Sequence, residues 1–341
     1  MKVAPRVLIA AVATMPIGVS AGAAHDALAA AGPQAARIAD LWWLMFGACA
    51  FVFVVLLVAL GWALWRAPRS DSRTPPDAAP AAAAEKNVGR SVIAAVVVSA
   101  MLLIGLLVAS VLTDRALAQL SRTDAIHVQV TAHDWWWAVS YDDPQPERTF
   151  TTANELYIPV GRPVVVTLTS DDVIHSFWVP SLHGKKDLIP GRVATIQFRA
   201  DQAGEYRGQC AEFCGLQHAF MAFDVVALPP AQFEAWAEAQ RKPAVESEDA
   251  AARRGRELFL SGSCMLCHSI GGTTAQGHKA PDLTHFASRA HIGAGRVSNS
   301  APNLAAWIID PQLIKPGVNM PAHPLPAADL GALVAYLETL K

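Results

Sequence analysis

Charge is scarce in this chain. Only 16% of its 341 residues are Asp, Glu, Lys or Arg, against 52% hydrophobic, and 27 basic and 29 acidic side chains leave a formal net charge of −2. Without a basic excess to neutralise phosphates, a nucleic-acid-binding role is excluded. So apolar a composition is unusual for a single soluble domain and points to membrane segments. Cysteine is scarce as well: there are five, and four of them stand in two tight pairs, Cys210/Cys214 and Cys264/Cys267. Such pairs read as metal or haem attachment rather than a disulfide framework. The fifth, Cys49, lies in an apolar run and reads as an inert buried thiol. Internal repeats are absent, and the length suits two or three domains.

In chain order, residues 1–23 read as a cleaved secretory signal: Lys2 and Arg6, then an apolar run from Val7 to Val19, then Ala21-Gly22-Ala23. Leu41–Trp65 and Ser91–Thr113 are 25 and 23 residues without a charge, each long enough to span a bilayer. Residues 24–113 thus form a transmembrane hairpin. Trp42, Trp43, Trp62 and Trp65 sit near the ends of the first span, where interfacial aromatics belong. The connecting loop, 66–90, carries Arg66, Arg69, Arg73, Lys86 and Arg90, so it is expected on the cytoplasmic side, with the C-terminal two-thirds exported. Neither span contains histidine, so neither can ligate haem or copper within the membrane.

Residues 125–228 read as several short strands separated by Gly, Pro and Asp clusters, a pattern of β-sandwich or Greek-key barrel. His175 falls in a loop between two strands, and Cys210 to Met221 in the loop before the last strand. A helix follows over 229–242, with Phe233 and Trp236 on one face, and then a linker to 249. Residues 250–341 read as an all-α unit with long loops, with helices over 253–260 and 326–340.

Two motifs carry chemistry. The first is Cys210-x3-Cys214-x3-His218-x2-Met221, with His175 lying 35 residues upstream of Cys210. Soft sulfur with imidazole suits copper or zinc; a structural zinc site has little use for the thioether, which also fits core filler. The second is Cys264-Met265-Leu266-Cys267-His268, the C-x-x-C-H pattern of c-type haem attachment. Two thiols one helical turn apart can add to the haem vinyls, and the adjacent imidazole reaches the iron. A thioredoxin-like redox pair shares the C-x-x-C spacing, but no βαβ pattern surrounds it. Met320 is the leading distal ligand; the alternatives are His278, His285, His291 and His323, or no protein ligand.

With both motifs on one exported, membrane-tethered chain, the sequence resembles cytochrome c oxidase subunit II of the bacterial branch with a fused cytochrome c domain. Cys210–Met221 resembles that family's dinuclear copper (CuA) motif, and the stretches His175–Pro180 and Lys186–Arg192 resemble its other signatures. The resemblance implies a cupredoxin fold over 125–228 and a class I cytochrome c fold over 250–341. It implies that Cys210 and Cys214 bridge two coppers, that His175 and His218 each bind one, and that Met221 and the Glu212 carbonyl complete the set. It further implies that the Glu212 carboxylate reaches magnesium shared with subunit I, and that electrons arrive at Trp135, in Asp134-Trp135-Trp136-Trp137. Core packing and surface are the plainer roles for three consecutive tryptophans. The family's glutamate and Trp-Thr pair at the second span have no clear counterpart in Glu85–Ile93.

The implied function is that of the electron-accepting subunit of a membrane haem-copper oxidase. Electrons pass from haem c through CuA to subunit I, where oxygen is reduced to water with proton translocation. The partners are subunit I, other oxidase subunits, membrane lipid, and a donor such as cytochrome c or the bc1 complex. The location is the bacterial plasma membrane, with the copper and haem domains on the periplasmic face. A nitric oxide reductase subunit and a stand-alone membrane-anchored electron carrier share these motifs. Residues 125–228 hold seven basic and twelve acidic side chains, and 250–341 hold eight basic and five acidic. These opposite signs favour docking of the two tethered domains.

Overall fold

The computed structural model describes residues 25–66, 82–120 and 123–341. The predicted signal and most of the predicted cytoplasmic loop lie outside them. Two long helices come first, α1 (Pro33–Arg66) and α2 (Ala82–Leu117). Their most apolar stretches are uncovered by protein along their whole length, as suits a lipid solvent. Cys49 therefore lies exposed on α1, not buried as its apolar neighbours suggest; the apolar surroundings there are a lipid-facing surface, not a core. At 34 residues, α1 is about 51 Å long, well beyond the ~30 Å hydrocarbon core. Its first turns run below the apolar span and bury Gln34, Ala35 and Ala39. The Arg37 guanidinium donates to the Ala116 carbonyl at the foot of α2, and Gln197 donates to the Ala118 carbonyl at 2.8 Å. These contacts seat the hairpin on the domain that follows.

That domain contains β1 (Ile126–His133), β2 (Trp136–Tyr141), β3 (Phe150–Ala153), β4 (Glu155–Pro159), β5 (Val164–Ser170), β6 (His175–Trp178), β7 (Lys186–Leu188), β8 (Ala194–Phe198), β9 (Gly204–Cys210) and β10 (Ala222–Leu228). They form two five-stranded sheets, ordered β3-β2-β1-β5-β8 and β4-β10-β9-β6-β7. β1 runs parallel to β5 and β10 parallel to β4. Alternating side chains explain the layering: Val128, Val130 and Ala132 of β1 are buried while His127 and Gln129 face out. The core between the sheets includes Trp137, Leu156, Val166, Phe177, Phe198 and Phe223. Two site residues sit differently from the sequence reading. His175 opens β6 and Cys210 closes β9, so both hang from strands and not from loops.

The helix α3 (Pro230–Gln240) packs Phe233 and Ala237 onto the sandwich, with the Trp236 ring stacked on Tyr157 at 4.3 Å. The last domain contains α4 (Ala250–Ser261), the two-residue strands β11 (His291–Ile292) and β12 (Val297–Ser298), α5 (Ala301–Ile309), α6 (Pro311–Ile314) and α7 (Ala327–Glu338). Asp249 caps α4 by accepting from the Ala251 and Ala252 amides. Gly255 lets α4 press onto α7, since a Cβ there would lie 2.7 Å from the Tyr336 Cβ and closer still to the Ala332 carbonyl. Phe259, Ile270, Leu304, Leu333 and Leu337 form the core.

Candidate metal and haem sites

The first site lies at one end of the sandwich. β6 delivers His175 and β9 delivers Cys210 at its end, and residues 211–221 loop back to β10. Backbone bonds close this loop: the Cys210 amide donates to the Met221 carbonyl at 2.9 Å, and the Ala211 amide to the Ser176 carbonyl at 3.0 Å. The sulfurs of Cys210 and Cys214 are 3.7 Å apart. His175 Nδ1 is 3.9 Å from Cys210 Sγ, and His218 Nδ1 is 3.6 Å from Cys214 Sγ. Met221 Sδ lies 3.8 Å from Cys214 Sγ, and the Glu212 carbonyl 3.2 Å from Cys210 Sγ. Two ligands on one metal at ordinary bond lengths of 2.0–2.3 Å, in tetrahedral arrangement, stand about 3.6 Å apart. All six donors named in the sequence thus converge at ligand spacing, and His175, Cys210, Cys214 and Met221 are buried.

The surroundings orient the donors. His175 Nε2 bonds Asp172 Oδ1 at 2.8 Å, which leaves Nδ1 facing the sulfur. Asp172 Oδ2 in turn accepts from the Asp134 amide at 2.6 Å. The hydrogen bond between the two free thiols lowers the pKa of Cys210 and raises that of Cys214. The Glu212 carboxylate turns away from the sulfurs and pairs with Lys185 Nζ at 3.2 Å. The three tryptophans part company. Trp137 is core; Trp136 stacks on His133 at 4.5 Å. The Trp135 indole N–H donates to the Cys214 carbonyl at 2.8 Å.

In the second site, Cys264–Leu266 form a single 3-10 turn, and Cys264 is half-buried while Cys267 is exposed. Gly277 packs on it so closely that a Cβ would come within 2.7 Å of the Cys267 amide nitrogen. His268 Nδ1 bonds the Pro281 carbonyl at 2.7 Å, leaving Nε2 for iron. Met320 lies midway along the loop from α6 to α7 and is half-buried. Most of the alternative histidines are committed elsewhere. His285 is bonded through both nitrogens, to the carbonyls of Lys341 at 2.8 Å, Gln240 at 3.2 Å and Lys242 at 3.0 Å. His291 pairs with Asp224 at 2.9 Å, and His323 meets Ser263 Oγ at 3.1 Å and the Pro321 carbonyl at 2.9 Å. His278 is exposed.

The two domains are docked on each other. β10 is buried on both faces over Ala222–Val225 because the helical domain covers its outer side. The Ala222 amide donates to the Ala294 carbonyl at 3.1 Å. The Ala290 amide donates to Glu155 Oε1 at 2.8 Å, and His291 reaches Asp224. The Arg296 guanidinium lies over the Phe220 ring, 4.1 Å from its centroid. Nothing in the sequence marks Glu155 and Asp224 as acceptors for a second domain.

A model described as the periplasmic domain of cytochrome c oxidase subunit II matches residues 144–228, and a cytochrome c model matches 252–341. Cytochrome c oxidase subunit 2 of Bacillus sp. strain PS3 is 34% identical over 267 residues, 72% of this chain and 72% of that protein. The chain belongs to the cytochrome c oxidase subunit II family. Its relative from Alkalihalophilus pseudofirmus, cytochrome c oxidase subunit 2, is 42% identical over 220 residues, 64% of this chain. The chain spans 62% of the length of that relative. The crystal structure of the periplasmic domain of subunit II of cytochrome oxidase from Bradyrhizobium japonicum aligns at 30% identity, over 34% of this chain and 93% of that one, with a TM-score of 0.32.

Proposed function

We propose that this subunit accepts electrons for a membrane haem-copper oxidase, from haem c through a dinuclear copper site to subunit I, where oxygen is reduced to water with proton translocation. The supporting observation is the convergence of the Cys210, Cys214 and Met221 sulfurs, two imidazoles and one carbonyl at 3.2–3.9 Å separations, directly beneath Trp135. A soft thioether in that set favours copper over zinc. When bound, copper on these donors and haem on Cys264 and Cys267 would each supply a one-electron redox centre.

The chain's own residues hold these centres still. Cys264 and Cys267 would anchor the haem and His268 and Met320 would ligate it, and the Pro281 carbonyl fixes the His268 ring. Strands β6 and β9 hold His175 and Cys210, and the loop closed between β9 and β10 holds the other copper ligands, so little moves when charge changes. Trp135 gives a covalent-plus-hydrogen-bond path into Cys214. The Glu212 carboxylate, now on Lys185, is the group available to magnesium at the boundary with subunit I. α1 and α2 anchor the subunit in the bacterial plasma membrane with both redox domains on the periplasmic side, facing cytochrome c or the bc1 complex. The purified complex should take up oxygen with reduced cytochrome c as donor. Nitric oxide reduction without oxygen uptake would assign the chain to a reductase, and purification as a lone one-haem protein would make it a free carrier.

A further inference from the structure

Lys315 is 1% exposed. Its ammonium lies at the contact between the two domains, donating to the Trp135 carbonyl at 2.8 Å and the Gly293 carbonyl at 2.9 Å. One acceptor belongs to the sandwich and the other to the helical domain, so a single amine ties them together. The loop that follows lies over Trp135. Gln217 Nε2 donates to the Pro316 carbonyl at 2.5 Å, and Asn319 Nδ2 to the Asp134 carbonyl at 3.3 Å. Gly317, at φ +90°, fits against the sandwich so closely that a Cβ would lie 2.7 Å from Leu216 Cδ2 and 3.8 Å from the Trp135 ring. The same loop carries Met320. Burial pushes the Lys315 amine down to about 7, yet charged or neutral it keeps the two N–H donors that two carbonyls require. An apolar side chain of equal length would leave both carbonyls unpaired in the contact.

We propose that Lys315 is a positioning residue that clamps the haem-binding domain onto the copper domain and keeps the loop that carries Met320 seated on Trp135. The proposal rests on the electron-transfer reading above. It is tested on the full-length chain, loaded with copper and haem, by comparing the native protein with Lys315→Met. After flash photoreduction of the haem, transfer to copper should slow at least about tenfold in the variant, with the spectra and reduction potentials of both centres unchanged. Amide hydrogen exchange should quicken at Ala222 and Ala290, whose N–H groups donate across the contact, and stay constant along β1. Lys315→Gln keeps a donor that falls short of both carbonyls; its intermediate loss covers failure of the first variant to fold. A variant with the native transfer rate, or with native exchange at the two amides, overturns the clamp. A native protein that shows no haem-to-copper transfer defeats the electron-transfer reading instead, and the exchange comparison then judges the clamp alone.

Discussion

Gly208 and Phe223 face each other across β9 and β10, the first strand ending at Cys210 and the second starting just after Met221. A Cβ on Gly208 would stand 2.6 Å from Phe223 Cε1 and nearer to two other ring carbons. Carbon atoms prefer about 3.5–4.0 Å, so the ring must withdraw by roughly 1 Å. It has nowhere to go: Phe223 is 3% exposed, with the Trp137 ring centroid 5.1 Å away and that of Phe177 4.7 Å away. Gly208→Ala should therefore cost about 2–3 kcal/mol, the upper range for overpacking. Phe223→Leu alone should cost about 2 kcal/mol, below the range for Phe→Ala because part of the cavity stays filled. Together the two changes compensate, because the new methyl occupies space the ring has left. The double variant should be more stable than the sum of the singles by at least about 1 kcal/mol. Urea titration of the copper-loaded chain, read by copper absorption, measures the sandwich alone. Strict additivity would show that the glycine is not there to accommodate the ring.

Met221→Leu should cost less than about 1.5 kcal/mol, since the swap nearly conserves volume at a fully buried position, and yet change the copper absorption spectrum; an unchanged spectrum would remove Met221 from the ligand set. The Ser176 hydroxyl, bonded to Asp187 at 2.7 Å, holds that carboxyl below its usual range. A carboxylate depressed in the folded state stabilises above its unfolded pKa, about 3.8, and loses that contribution as pH falls through the folded value. Ser176→Ala should thus raise the midpoint of acid unfolding, by a loss of about 1 kcal/mol or less because Asp187 is 44% exposed; circular dichroism along an acid titration measures it. Gly255→Ala should separate α4 from α7 at a cost of about 3 kcal/mol or more, read as loss of covalently attached haem while the copper spectrum persists.

The two membrane helices, the sandwich and the haem attachment turn were legible because each has a strong local signal: charge-free length, alternation with turn clusters, and C-x-x-C-H. The ends of α1 and α2 were not, since the helices continue past their apolar stretches into contact with the sandwich. β9 was missed because Gly204, Gly208 and two charged residues give it little strand character; its pairing with β6 and β10 supplies the order. His175 reads as a loop residue because β6 is only four residues long. α5 hides a proline in its first turn and reads as loop. Opposite formal charges on the two domains gave a reason to expect docking, but no sign of the buried contacts between them. Lys315 gives no sign in the sequence of being anything but a surface lysine.

The claim at the centre of this account is that Cys210, Cys214, His175, His218, Met221 and Glu212 hold copper next to a haem on Cys264 and Cys267. Metal analysis of the purified chain with one optical spectrum tests it most directly. The expected result is two coppers and one c-type haem per chain, with a near-infrared band from the copper pair. Zinc in place of copper, or copper without that band, would contradict it.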